Sequence, residues 1–167
     1  HCCLIAEGPS SQSELRYPAG VLACILGDTS GSKAYWELVD KGLADTAYID
    51  SDDMDHTGFI YGYVSAEPSR IETVRETLRT IMSIPLNFTD EDLTRALTKL
   101  RTRLVLQGES TMRRLMAVGL EWIARKRYRT LEDELSRLAS VSRKECESML
   151  QAVTFRPLTT VTLLPAG

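Results

Sequence analysis

Leu26-Gly27-Asp28-Thr29-Ser30-Gly31-Ser32-Lys33-Ala34-Tyr35-Trp36-Glu37-Leu38-Val39-Asp40-Lys41-Gly42-Leu43-Ala44 is the most informative stretch of this chain. Upstream of it, Val21, Leu22, Ile25 and Leu26 recur at helical spacing. Gly27 is expected to cap that helix at its C-terminus, and Asp28 to Ser32 has the composition of a turn with Ser32 as the next N-cap. A second helix follows, bearing Tyr35, Trp36, Leu38 and Val39, and Gly42 ends it. The glycines and Lys33 superficially suggest a phosphate loop. The spacing is wrong for that motif, and the segment follows a helix where a strand is required. Phosphate binding is therefore rejected.

Working outward, Cys2 to Glu7 reads as a short apolar strand closed by Gly8-Pro9-Ser10-Ser11, and Pro18 suits a first helical turn. On the other side, Ala47-Tyr48-Ile49 predicts a strand leading into an acidic loop. Gly58 to Ser65, rich in aromatic and β-branched residues, predicts its antiparallel partner. The rest is mostly helical. Ile71, Val74, Leu78, Ile81 and Met82 form one apolar stripe, stopped by Pro85. Thr89-Asp90-Glu91-Asp92 opens a helix in capping-box style, with Leu93, Leu97, Leu100 and Leu104 as its expected buried seam. Gly108 and Ser110 mark a break before a helix carrying Met112, Leu115, Met116 and Ile123. A short helix around Leu131, Leu135 and Leu138 comes next. Ser142 to Glu145 is a full capping box for the last helix, and a final strand is expected over Thr159 to Leu164. The order predicts an α+β fold: a mixed, largely antiparallel sheet with helices packed on one face.

Composition sets further bounds. The 167 residues are 43% apolar and 26% charged, which fits one domain spanning residues 1–167. A net charge of −3 gives no support for nucleic-acid binding or an anionic membrane surface. No apolar run approaches bilayer length, and no cleavable signal segment is read. The chain begins at His1 inside a strand pattern, so it is expected to be a piece of a longer protein. Cys2, Cys3, Cys24 and Cys146 form no C-x-x-C pair, which favours free thiols in a reducing compartment.

From Leu26-Gly27 through Gly42-Leu43-Ala44 the chain resembles the pitrilysin/insulinase metallopeptidases, mitochondrial processing peptidase among them. Further resemblances follow in the family's order: Thr57 to Tyr63, the helix launched by Thr89 to Leu93, Gln107 to Thr111 between two long helices, and Val141 through Leu164. The resemblance implies one half of a two-half clamshell that closes around a peptide. Zinc in such proteins sits in the N-terminal half, on an inverted His-x-x-Glu-His helix. The matched features are those of the C-terminal half, which lacks the ligands. Implied partners are thus the N-terminal half of the same chain and a peptide substrate, with zinc expected in the missing half and no cofactor in this one.

The residues agree without the resemblance. Hydrolytic zinc needs three fixed protein ligands, an open position and a base. This chain has two histidines, His1 and His56, and neither belongs to a His-x-x-Glu-His sequence. No catalytic residue and no metal ligand is assigned. In catalytic members an Arg and a Tyr seven residues apart in this half assist the oxyanion. Aligned on Gly42-Leu43-Ala44, those positions are Leu38 and Asp45, neither of which does so. Lys41 and Tyr48 keep the same separation. Leu38, Lys41, Asp45 and Tyr48 are therefore the substrate-facing candidates.

Two other clusters weigh less. Asp50, Asp52, Asp53, Asp55 and His56 lack the spacing and pivotal glycine of a calcium loop and read as a solvated turn. Arg125, Lys126, Arg127 and Arg129 read as a solvated helical face, or alternatively as a docking surface for the missing half. Function is expected to be that of a non-catalytic, substrate-enclosing domain of a zinc endopeptidase. The alternative is an inactive scaffold homologue.

Overall fold

The computed structural model describes residues 1–157 and 159–165. Its elements run β1 (Cys2–Glu7), α1 (Arg16–Gly27), a π-helical turn (Tyr35–Val39), β2 (Thr46–Met54), β3 (Thr57–Ser65), a 3-10 turn (Pro68–Arg70), α2 (Ile71–Ser83), α3 (Asp90–Glu109), α4 (Thr111–Arg125), α5 (Leu131–Ala139), α6 (Arg143–Ala152) and β4 (Thr159–Thr162). The four strands form one sheet in the order β2-β3-β1-β4. Every pairing described is antiparallel, and the fold is α+β as expected.

Opposed residues of an antiparallel pair share a face of the sheet. The register Leu4↔Gly62 and Ile49↔Gly62 places Leu4, Ala6, Ala47, Ile49, Ile60 and Val64 on one face, where all are buried. Helix residues Leu22 and Leu26 of α1, with Val74, Leu78 and Met82 of α2, complete that core. Gly62 has a packing role: a Cβ there would lie 2.9 Å from Met82 Sδ and 3.1 Å from Leu78 Cδ2. The other face carries Cys3, Ile5, Tyr48, Phe59, Tyr61 and Tyr63. These stay half-buried, and Tyr48 lies 5.2 Å from the Tyr63 ring and 6.0 Å from the Tyr61 ring.

Local signals held well. The Thr89–Asp92 box has both its bonds, Asp92 N–H to Thr89 Oγ1 at 3.2 Å and Thr89 N–H to Asp92 Oδ2 at 2.9 Å. The Ser142–Glu145 box does too, and α5 opens with a third, Thr130–Asp133. Each satisfies donors that a helix start otherwise leaves unbonded. Gly42 adopts φ 65°, a left-handed conformation suited to glycine.

Five expectations need correction. Gly27 is no left-handed cap: it is the last residue of α1, and its missing Cβ lets the helix end press on β2. A Cβ there would fall 2.0 Å from Ile49 N. The second helix is a single π-helical turn, closed by Asp40 N–H to Tyr35 O at 2.9 Å. The acidic loop is mostly strand, because β2 runs on to Met54 and only Asp55 and His56 form the turn. The leucine seam of α3 is half-buried, with only Ala96 fully inside. Beyond it, α4 carries its apolar stripe outward, with Met112, Leu115, Met116 and Ile123 all exposed. The final strand stops at Thr162 rather than Leu164.

Candidate functional site

The histidines stand apart from any metal chemistry. His1 Nδ1 shares a 2.8 Å hydrogen bond with the Tyr63 hydroxyl. His56 occupies the hairpin tip at φ 57°, exposed beside Asp55 at 3.6 Å. Gln12 braces that tip by accepting the His56 N–H at 2.9 Å and donating to Asp55 Oδ1. Among the described residues no group of three or more His, Cys, Asp or Glu side chains is placed to hold a metal ion. The residues of this chain do not fit a zinc site, and no catalytic step is derived through one.

The four candidate residues separate into two environments. Leu38 is fully buried, its carbonyl accepting from Leu43 and Ala44 as the chain leaves the π-helical turn. It offers no surface to a ligand. Lys41 and Asp45 are exposed: Lys41 pairs with Glu37 four residues back, and the Asp45 N–H bonds Ser65 O at 2.8 Å. Tyr48 lies on the open sheet face. Among the described residues no hydrogen bond joins Lys41 to Tyr48.

A broad concavity lies along β2, an outer strand of the sheet. A groove of about 740 Å³ runs between α1, β2, α3 and α5, with Tyr48 at its rim. A second of about 460 Å³ continues beneath α4, and Asp52 and Asp53 line both. Asp50, on the same wall, has its carboxyl pushed up by burial. Among the described residues, Asp50, Asp52 and Asp53 have no ion-pair partner.

The groove is framed by ion pairs that sequence reasoning missed. Asp28, buried at the end of α1, takes Lys99 at 2.8 Å and Arg103 at 2.5 Å from α3. Burial alone would raise its carboxyl, but these two cations outweigh burial and hold it below the ordinary range. On the opposite side, the Tyr17 hydroxyl donates to Glu134 at 2.7 Å, with Arg16 and Arg129 donating to it, each at 2.7 Å. Burial first, then the Glu134 bond, pushes this phenol up to about 12.

Arg125 and Arg129 of the basic run belong to that second frame, which corrects the reading of these two as a solvated face. Arg125 is almost wholly buried against Glu121 at 2.8 Å, and Arg129 grips Glu14. Lys126 ends α4 in a left-handed conformation. These arginines tie α4 and the following loop to the start of α1. A run of four cations signals no such partners, because Glu14 and Ser11 lie more than a hundred residues away in sequence.

The fold is a helix-backed antiparallel sheet with an open aromatic face, and no metal-holding cluster is placed among the described residues. The pattern of the peptidase M16 inactive domain matches residues 1–100, and the chain belongs to that family. It is 26% identical over 159 residues to a zinc protease of Streptomyces coelicolor, covering 93% of this chain and 35% of that protein. It is 24% identical over 172 residues to a zinc protease of Bacillus subtilis, covering 100% of this chain and 42% of that one. The chain thus spans well under half the length of these relatives. Among solved structures, one described as the inactive peptidase domain of a zinc protease from Bordetella parapertussis superposes with a TM-score of 0.76 at 20% identity, over 91% of this chain and 84% of that one. A Helicobacter pylori protease gives 0.82 at 16% identity, over 98% and 41%. At those identities the structural likeness shows the fold alone.

Proposed function

We propose that this chain is the non-catalytic half of a zinc-dependent endopeptidase, closing over a peptide that is cut by residues outside it. The observation that carries the reading is the pairing of membership in the inactive M16 domain family with a residue set unable to assemble a zinc site. Zinc, on this reading, is held by the N-terminal half. The names of the two zinc-protease relatives support it, and both extend well beyond the matched region.

In this role the domain shapes a water-poor chamber and limits what enters it. Its open sheet face and the β2 rim, including Lys41, Asp45 and Tyr48, would border the peptide. The stripe of Met112, Leu115, Met116, Trp122 and Ile123 on α4, each more than half exposed, would seat the rest of the polypeptide. Exposed apolar patches of this kind mark protein interfaces. The four cysteines remain unpaired, in keeping with a reducing compartment. No helix among the described residues is long and apolar enough to cross a membrane.

The test is hydrolysis by the full-length protein. Unstructured peptides should be cut in a chelator-sensitive manner, and stably folded proteins left intact. Cleavage of folded proteins at the same rate would remove the enclosing role. Absence of any hydrolysis would favour the second reading, an inactive scaffold, to which Leu38 and Asp45 at the family's assisting positions lend support.

A further inference from the structure

A cavity of about 370 Å³ lies between the π-helical turn and the end of α2. It shares no lining residue with the two grooves along β2. Because α2 packs on the core side of the sheet through Leu78 and Met82, the cavity is also remote from the open aromatic face.

Local sequence builds both of its walls. Thr77, Thr80, Ile81 and Ile84 follow at i, i+3, i+4 and i+7, so they share one face of α2 and its C-cap. Across from them, Ser32 Oγ accepts the Tyr35 N–H at 3.1 Å and starts the π-helical turn, a geometry frequent at functional sites. Leu38 anchors that turn in the core, which leaves Trp36 outward at 51% exposure. The Tyr35 ring meets the indole edge-on at 5.0 Å and braces it. Ile84, at 52% exposure, completes an apolar cleft that this chain leaves unfilled.

The donors of the cleft select the charge of its occupant. Glu37 is already paired with Lys41 at 2.5 Å. Lys33, by contrast, has no hydrogen-bond or ion-pair partner among the described residues. Asp92 of α3 feels the Lys33 charge, but its carboxylate accepts from Thr89 N–H at 2.9 Å and Arg95 at 3.2 Å. The Thr77 and Thr80 hydroxyls donate to the Thr73 and Glu76 carbonyls. Lys33, Asn87 and the Trp36 indole N–H are then the lining donors left to meet an anion.

We propose that this cavity binds a small amphipathic carboxylic acid, its aryl or branched alkyl body between Trp36 and Ile81–Ile84 and its carboxylate on Lys33. The volume falls at the small end of ligand sites, about 300–1,000 Å³, which favours a free small molecule over a polypeptide. An amine of the same shape would meet Lys33 as a like charge. A neutral amide would leave the ammonium unpaired. Nothing in the inference depends on peptide cleavage.

The experiment is fluorine NMR on the full-length protein with metal chelated, titrating para-fluorophenylpropionate, its amide and para-fluorophenylpropylamine. The acid is expected to bind, and the amide and amine at least about tenfold more weakly. Lys33→Gln should weaken the acid about tenfold and leave the amide unchanged, whereas Trp36→Ala should weaken both. Neither side chain is buried, so each variant should keep the Tm of the native protein. Equal affinity for acid and amide, unchanged acid binding in both folded variants, or no binding of the acid at millimolar concentration overturns the proposal. The last result would mean that the rest of the polypeptide covers the cleft.

Discussion

Gly27 and Ile49 are in such close contact that a Cβ on Gly27 would overlap the Ile49 backbone, 2.0 Å from its nitrogen and 2.4 Å from its Cα. Because the obstacle is backbone, it cannot rotate away. Gly27→Ala is expected to destabilise the fold by about 3 kcal/mol, the upper end for overpacking. Gly42→Ala is the control: nothing lies within 4 Å of its Cβ position, and φ is +65°. Only the left-handed penalty applies, about 1–2 kcal/mol. Urea denaturation of the two variants, with Gly27→Ala clearly the worse, checks this.

Asp28 links α1 to α3 and makes stability depend on acid. Its folded carboxyl is held low, so its contribution is present above the unfolded value of roughly 3.9 and is lost as pH falls through the folded value. Asp28→Asn should cost about 1–3 kcal/mol at neutral pH, limited because Lys99 and Arg103 still reach solvent. The gap in Tm between the native protein and Asp28→Asn should narrow steadily under acid. A gap that widens would contradict the assignment.

Leu38 and Lys41, neighbours in the quoted stretch, should behave oppositely. Leu38→Ala opens a cavity in the core and should cost about 2–5 kcal/mol. Lys41→Ala, on an exposed i,i+4 pair, should stay within about 0.5 kcal/mol. If Lys41 borders the peptide, its loss shows in KM rather than in denaturation.

The apolar stripe of α4 predicts a difference between contexts. Met116→Glu should leave the stability of this chain within about 0.5 kcal/mol, since Met116 is already exposed. In the full-length protein the same change should lower Tm and speed limited proteolysis, because a charge would then sit in an interface.

The parts legible in the sequence were those fixed by near neighbours. Capping boxes, the stripe of Ile71 to Met82 and the turn at Gly42 all depend on residues a few positions apart. Periodicity showed that α4 has an apolar face but not what covers it, and Met112 and Leu115 stay exposed in this chain. The acidic composition of Asp50 to Asp53 concealed a strand, because an edge strand tolerates charge where it meets solvent. Asp50 and Asp52 sit on the open face beside Tyr61 and Phe59. The groove's frame was hidden for a third reason: Asp28 and Lys99, or Glu14 and Arg129, meet only once the chain has folded.

Metal content and peptide hydrolysis, measured in parallel on this chain and on the full-length protein, test the central claim most directly. The chain alone should bind no stoichiometric zinc and cleave no peptide, whereas the full-length protein should do both and lose activity to a chelator. Stoichiometric zinc with chelator-sensitive hydrolysis by the chain alone would contradict the assignment of a non-catalytic half.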